Sequence, residues 1–404
     1  MNAAGRHSTK GEFGANWPIV LTASMGMALS ASMVVMQGVM MIPLEHEFGW
    51  SRALISSGGL IVSVLGLLLS AVAGYAIDRI GARKIGIAVA VAMSGVLIFL
   101  AATTSIWHWW LLWSIYGLAA TATSAVWLKP VSTRFDRKRG LAIAITMAGT
   151  GLSAALLPVT TSYIIAHFGW RSAYTVVGVI FALVTIPLTL TVWKEEEPIA
   201  DGPAPADLRG MTVSQGFRSP NFYLIIACMT ISMFAWVAVI VNLVPILVSL
   251  NVSAMEAAAI AGTQGLSGIG GRFIGGWALD RIAAKWLVVG ATLCTVMLPI
   301  VLLIDPGSVP MIFAAVIFCS AMSGAKYAGI VYLVSRHFGP KSFGTLYGAV
   351  STAPALAAGV GPMIASYIFD QTKSYSMAMW IMLPSMAAAA LCAASLGRYP
   401  NFED

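Results

Sequence analysis

The stretch GYAIDRIGARK, Gly74 to Lys84, decides how the chain is read, because it returns in weakened form as GWALDRIAAK, Gly276 to Lys285. Asp78 and Asp280 stand 202 positions apart, as do Arg79 and Arg281, Pro43 and Pro245, Ser51 and Ser253, and Arg134 and Arg336. A constant offset held at so many positions marks an internal repeat of two homologous halves. Each copy of the stretch joins two long apolar runs, so it is a short basic loop at the same place in each half.

Composition says what surrounds those runs. Apolar residues make up 58% of the chain and charged residues 10%, against about 45–50% and about 25% in soluble domains. With a mean hydropathy of +0.85, this is a membrane protein, and its 404 residues allow about twelve spans of ~20 residues. Apolar segments lie near 17–41, 55–77, 85–104, 109–133, 140–167 and 172–193, then near 221–249, 257–279, 286–304, 310–335, 343–369 and 375–397. The expected fold is an all-α membrane protein of twelve transmembrane helices in two parallel, pseudo-symmetric six-helix bundles, residues 1–193 and 221–404. Between them the charged, proline-rich stretch KEEEPIADGPAPADLRGMTVSQGFRSP is a linker, residues 194–220. Its MTVSQGF portion is read as interfacial. An even number of spans per half makes the repeats parallel, which implies a transporter whose site lies between the halves near the midplane.

Basic residues fix the orientation. They crowd alternate loops, those holding Arg79, Arg83 and Lys84, or Arg134 and Lys138, or Arg281 and Lys285, whereas the other side has Arg52, Arg171 and Lys373. The positive-inside rule then sets both termini in the cytoplasm of a multi-pass protein of the inner membrane. The net charge of +7 follows from topology, and no nucleic-acid partner is needed to explain it. The first apolar stretch is too long for a cleaved signal and lacks its small-residue site. Cys228, Cys294, Cys319 and Cys392 fall within spans as small packing residues, with no disulfide or zinc spacing.

With twelve spans, a central linker and the repeat in place, the loop Gly74–Lys84 resembles the signature loop of the major facilitator superfamily, with Gly74, Asp78, Arg79, Gly81, Arg83 and Lys84 on its positions. The resemblance covers nearly the whole chain and implies that the loop is a cytoplasmic gate. Asp78 is then expected near a helix terminus, Arg79 and Arg83 near acidic or phosphate groups, and Asp280 and Arg281 in the matching place of the second half. Plain topology is the competing reading for Arg83 and Lys84.

Three cations fall inside spans: Lys129, Arg272 and Lys326. Arg272 precedes Asp280 by eight residues and Lys326 precedes Arg336 by ten, depths of about 12 and 15 Å at ~1.5 Å per residue. Lys129, five residues from Arg134, can extend its stem to the headgroups. A cation at the bilayer centre costs at least about 2.5–3.5 kcal/mol and so calls for a partner. The acids supply none at that depth: Glu45, Glu47, Glu256, Asp305 and Asp370 sit towards one surface, Asp78, Asp136 and Asp280 towards the other. The missing partner is therefore read as an anionic substrate, with the Arg272 fork suited to a carboxylate and Lys326 acting as a point charge. Backbone carbonyls and water are the alternative partners for both.

Gln264, Gly268 and Arg272 share one helix face, with Gly268 leaving room for a ligand, and Tyr327 stands beside Lys326. Gln37, Asn242, Tyr116 and Tyr347 are further substrate-binding candidates, for which packing between membrane helices is the competing reading. The stretches EFGWSRALIS (Glu47–Ser56) and RFDRKRGLAIAI (Arg134–Ile145) resemble the monocarboxylate and oxalate/formate branch of the superfamily. That resemblance implies that Arg272, on the eighth span, binds substrate carboxylate. Where animal members carry an aspartate one turn before that arginine, this chain has Gly268, and its first span has no lysine. The exchangers' second cation, on the eleventh span, is also missing, and Lys326 on the tenth is read as its replacement.

The function expected is secondary active transport of small organic anions by alternating access. His46, His108, His167 and His337 lie at helix ends, so no central histidine or carboxylate relay is visible, and proton symport and anion exchange both stay open. The alternatives are import of a larger acidic metabolite, such as a siderophore or peptide fragment, and export of drugs or metabolites by the same fold. No catalytic constellation suggests an enzyme. The partners expected are a small carboxylate, a coupled proton or counter-anion, and the lipid bilayer, for a monomer without cofactor or metal.

Overall fold

A computed structural model describes residues 11–135, 138–193, 210–304, 307–339 and 341–400, the side chains at positions 11–13, 15 and 78 excepted. Asp78, expected at the gate, thus lies outside the described side chains, as do Asp136, Asp305 and most of the linker.

Among the described residues the elements are helices: α1 (Gly11–Phe48), α2 (Arg52–Ile80), α3 (Ala82–Leu100), α4 (Ile106–Arg134), α5 (Arg139–Val192), α6 (Val213–Arg218), α7 (Pro220–Val241), α8 (Leu243–Ser249), α9 (Ala254–Leu279), α10 (Ala284–Cys294), α11 (Met297–Ile304), α12 (Val309–Phe338), α13 (Phe343–Thr372) and α14 (Ser376–Ala394). Among the described residues ten helical runs are long and apolar enough to cross a membrane. One of them, α5, holds two crossings, because Gly169 takes φ 81° and ψ 163°, a left-handed conformation that glycine adopts without a Cβ clash. α9 is not among the ten, since glycines and Arg272 dilute its hydropathy; its 26 residues still reach ~39 Å at about 1.5 Å each, more than the ~30 Å of a bilayer core. Doubling α5 and adding α9 gives the twelve spans expected. Two of them are interrupted: α7 and α8 form one crossing broken at Asn242, and α10 and α11 another broken after Cys294.

The repeat is visible in how spans begin. The Ser51 hydroxyl accepts from the Leu54 N–H at the start of α2, and the Ser253 hydroxyl accepts from the Glu256 N–H at the start of α9. Residues at the repeat offset thus perform the same N-cap, each satisfying a donor that the helix leaves free. The linker's MTVSQGF segment forms the short helix α6, opened by a reciprocal Thr212–Gln215 capping box and packed through Gly216 on Leu346 of α13.

One apolar core belongs to α1–α5 and is centred on large aromatics, with Trp109, Trp113, Trp127, Tyr116 and Tyr174 fully buried. Gly26 and Gly58 lie directly under the Trp127 and Trp113 rings, where a Cβ would have no room. Two further cores gather α7–α14, joined by Val39 of α1. Across the middle of the molecule α2 packs on α13 and α5 on α9, with α1 against α8. The α5–α9 contact puts the cavity described next between helices of both sequence halves.

Candidate functional site

The seam between α9 and α12 is made of small residues. A Cβ on Gly275 would come within 2.6 Å of Ala325 Cα, Gly324 rests on the Gly268 carbonyl, and Gly271 on that of Ala321. Such close approach is how membrane helices gain contact where no hydrophobic force separates helix from lipid. Its consequence is chemical, because it brings Arg272 of α9 and Lys326 of α12 to one wall of a cavity of about 420 Å³.

The same wall carries Gln264 and Gly268 from α9 and Ser320, Ser323, Gly324 and Tyr327 from α12. Gly268 is a true gap, since a Cβ there would meet only the Ser320 carbonyl, at 3.9 Å. α7 contributes Met229, Ser232, Met233, Trp236 and Val237, and α5, which packs on α9, contributes Met147 and Thr150. Lys326 is buried, with 6% exposure, and no described residue gives it a hydrogen bond or ion pair. Arg272 is open to the cavity and its guanidinium carbon lies 5.4 Å from the centre of the Tyr327 ring, a cation–π distance. The Tyr327 and Tyr347 hydroxyls share a hydrogen bond of 2.9 Å, linking α12 to α13. None of the cavity residues is acidic.

Of the substrate candidates read from sequence, the structure therefore brings together Arg272, Lys326, Gln264 and Tyr327, with Tyr347 attached through its hydroxyl. It places the other three elsewhere. Tyr116 is buried in the first core and donates to the Leu29 carbonyl at 2.8 Å. Gln37 is buried where α1 passes Gly59 of α2. Asn242 sits at the break between α7 and α8, its amide donating to the Ala238 and Pro362 carbonyls and accepting from Ser366 and Tyr375. The sequence reading passed over the apolar wall on α7, since methionine and tryptophan in an apolar span carry no signal against their background.

Sequence reading also passed over a latch at the end of the bundle opposite the basic loops. There Asp370, at the end of α13, accepts from the Arg52 and Ala53 N–H groups at 3.0 and 2.9 Å, so that one sequence half caps a helix of the other. Arg52 donates to Glu45 at 2.8 Å and to the Tyr375 hydroxyl at 3.2 Å, and its guanidinium lies 3.7 Å over the Phe369 ring. Ser56 and Ser366 join at 2.8 Å one turn deeper. These bonds tie α2 to α13 at this end of the bundle. At the basic end, Arg83 donates to the Leu190 carbonyl near the end of α5, Arg79 lies 5.1 Å from the Tyr75 ring, and Arg281 lies 4.1 Å from the Trp277 ring and donates to that residue's carbonyl. Each of these contacts stays within its own half. Asp280 closes α9 as its C-cap residue.

A many-spanned helical bundle, latched between its sequence halves at one end and holding a cavity lined by two cations, has the build of a membrane transporter. The chain belongs to the Major Facilitator Superfamily, whose family model matches residues 23–304 and 225–403. Over 375 residues it is 22% identical to an uncharacterized MFS-type transporter, YcxA, of Bacillus subtilis (strain 168), covering 87% of this chain and 88% of that one. It is 25% identical over 388 residues to monocarboxylate transporter 13 of Bos taurus, covering 90% and 85% of the two chains. Among solved structures it resembles a bacterial homologue of the human lysosomal transporter Spinster in an inward-facing, occupied conformation, with a TM-score of 0.76, 14% identity and 96% of each chain covered. At that identity the likeness is one of fold. Among its relatives the chain resembles the monocarboxylate branch.

Proposed function

We propose that the protein is a secondary active transporter of small organic anions, carboxylates in particular, working by alternating access as a symporter or an anion exchanger. The observation that carries this reading is the pair Arg272 and Lys326, two cations lining one cavity in which no acidic residue is present. A charge kept away from bulk water and without a protein counter-charge is costly, and a bound carboxylate offsets that cost by charge-assisted hydrogen bonds in a low-dielectric site. The halves 1–193 and 221–404 then rock about the cavity, opening the Arg52–Asp370 latch on one face and closing the loops of Asp78, Arg79, Arg83, Asp280 and Arg281 on the other. Those basic loops face the cytoplasm of the inner membrane, so the latched face is the outer one.

Uptake by the purified protein in liposomes tests this, using labelled mono- and dicarboxylates with and without the same acid loaded inside. Uptake of at least one acid is expected, and lost when Arg272 is replaced by Gln. Dependence on internal acid identifies exchange, and dependence on an imposed pH gradient identifies symport. An absence of uptake for every acid in both formats would overturn the carboxylate reading.

A further inference from the structure

The two walls of the cavity differ in what they leave unsatisfied. On the α9–α12 wall the Ser320 hydroxyl is buried with no hydrogen-bond partner, and neither Arg272 nor Lys326 has a hydrogen bond or ion pair among the described residues. On the α7 wall the hydroxyl is satisfied at home, since Ser232 donates to the Met229 carbonyl at 3.3 Å. What α7 turns towards the cavity is the apolar surface of Met229, Met233 and Trp236, spaced i, i+4 and i+7 on one face. A ligand that satisfies both walls must therefore be polar at one end only.

We infer that the transported anion is amphipathic, a single carboxylate held by Arg272 and Lys326 and an alkyl or aromatic body laid against Trp236, Met229 and Met233. This rests on the carboxylate reading and narrows it. The cavity of about 420 Å³ holds the volume of about fourteen waters at ~30 Å³ each, so a two-carbon acid would leave most of the α7 wall wet. A second carboxylate at the far end of a dianion would have to shed water against thioethers and an indole with no cation to receive it. Methionine suits a wall that receives bodies of varied shape, because its unbranched thioether adapts to them. Both cations line the α9–α12 side of the cavity, which is where the carboxylate end belongs.

The test is calorimetric binding of a straight-chain monocarboxylate series, acetate to octanoate, to the full chain in lipid nanodiscs, with phenylacetate and the dicarboxylates oxalate, succinate and adipate beside it. Affinity is expected to climb about fourfold per added methylene until the cavity is filled, with each dicarboxylate weaker than the monocarboxylate of equal length. In Trp236→Ala, and in Met233→Ala as a milder second variant, the gain in affinity per methylene is expected to shrink relative to the native chain. A flat series, dicarboxylates that outbind their monocarboxylate partners, or a slope that persists in both variants, as simple partition into lipid would give, overturns the inference and leaves the carboxylate reading standing. Failure of every acid to bind overturns both.

Discussion

Arg272 and Lys326 differ in how they hold their charge, and the difference gives separate predictions. Arg272 faces the open cavity with a planar fork that Lys cannot reproduce. Arg272→Gln should weaken carboxylate binding by about 10- to 150-fold, the worth of a hydrogen bond to a charged group, and Arg272→Lys should recover little of it; titration of acid into purified protein measures both. Lys326 is buried, at 6% exposure, so its ammonium is a burden on the empty protein. Lys326→Met should stabilise the substrate-free chain by up to about 2.5–3.5 kcal/mol, the insertion cost of a deep cation, while raising the apparent substrate constant. Thermal unfolding without ligand would show the gain, and a lower melting temperature would mean that Lys326 has a structural partner. Both residues were legible in the sequence because a cation in an apolar run stands out and its depth can be counted from the helix end. Trp236, Met229 and Met233 were not, because which face of an apolar helix meets a cavity is decided by its neighbours. Asn242 drew notice for its polarity, yet its amide is engaged by Ala238, Pro362, Ser366 and Tyr375.

Between elements, two contacts carry predictions. The α9–α12 seam depends on glycine: at Gly324 a Cβ would press on the Gly268 carbonyl. Gly324→Val should therefore separate the two helices and cost about 1–3 kcal/mol or more of stability, and it should weaken binding as well, because Arg272 and Lys326 ride on the two helices it parts. A variant with native melting and binding would show that the seam does not set the site. At the other end, Asp370 caps α2 across the sequence halves. Asp370→Ala should weaken that cap by about 0.5–2 kcal/mol, shifting the balance towards the state open on this face by about 2- to 30-fold. Distance distributions between spin labels on the α1–α2 and α13–α14 loops would report it, and unchanged distributions would remove Asp370 from the latch. The spans themselves were legible, and so was the break between the fifth and sixth, near Gly169. The interruptions at Asn242 and after Cys294 were not, since each lies within an apolar run that reads as continuous. The latch was hidden too: Arg52 and Asp370 belong to different halves and meet only when α2 packs on α13.

For the whole molecule, the repeat carried the most information. Its offset pairs Ser51 with Ser253, and both turn out to be N-caps of matching spans. Symmetry of that kind predicts two bundles but not their present relation, because a rocking protein has at least two arrangements of one sequence. In the arrangement described the halves are joined at the Arg52–Asp370 face, while the basic-loop contacts of Arg79, Arg83 and Arg281 stay within their own halves. The central claim is that a carboxylate completes the charge of the cavity and is carried through it. The measurement that tests it most directly is uptake of a labelled monocarboxylate into liposomes holding either the native chain or Arg272→Gln at equal, verified insertion. The account predicts uptake above empty liposomes for the native chain and background for the variant; equal uptake by the two would show that Arg272 does not bind the substrate, and would contradict it.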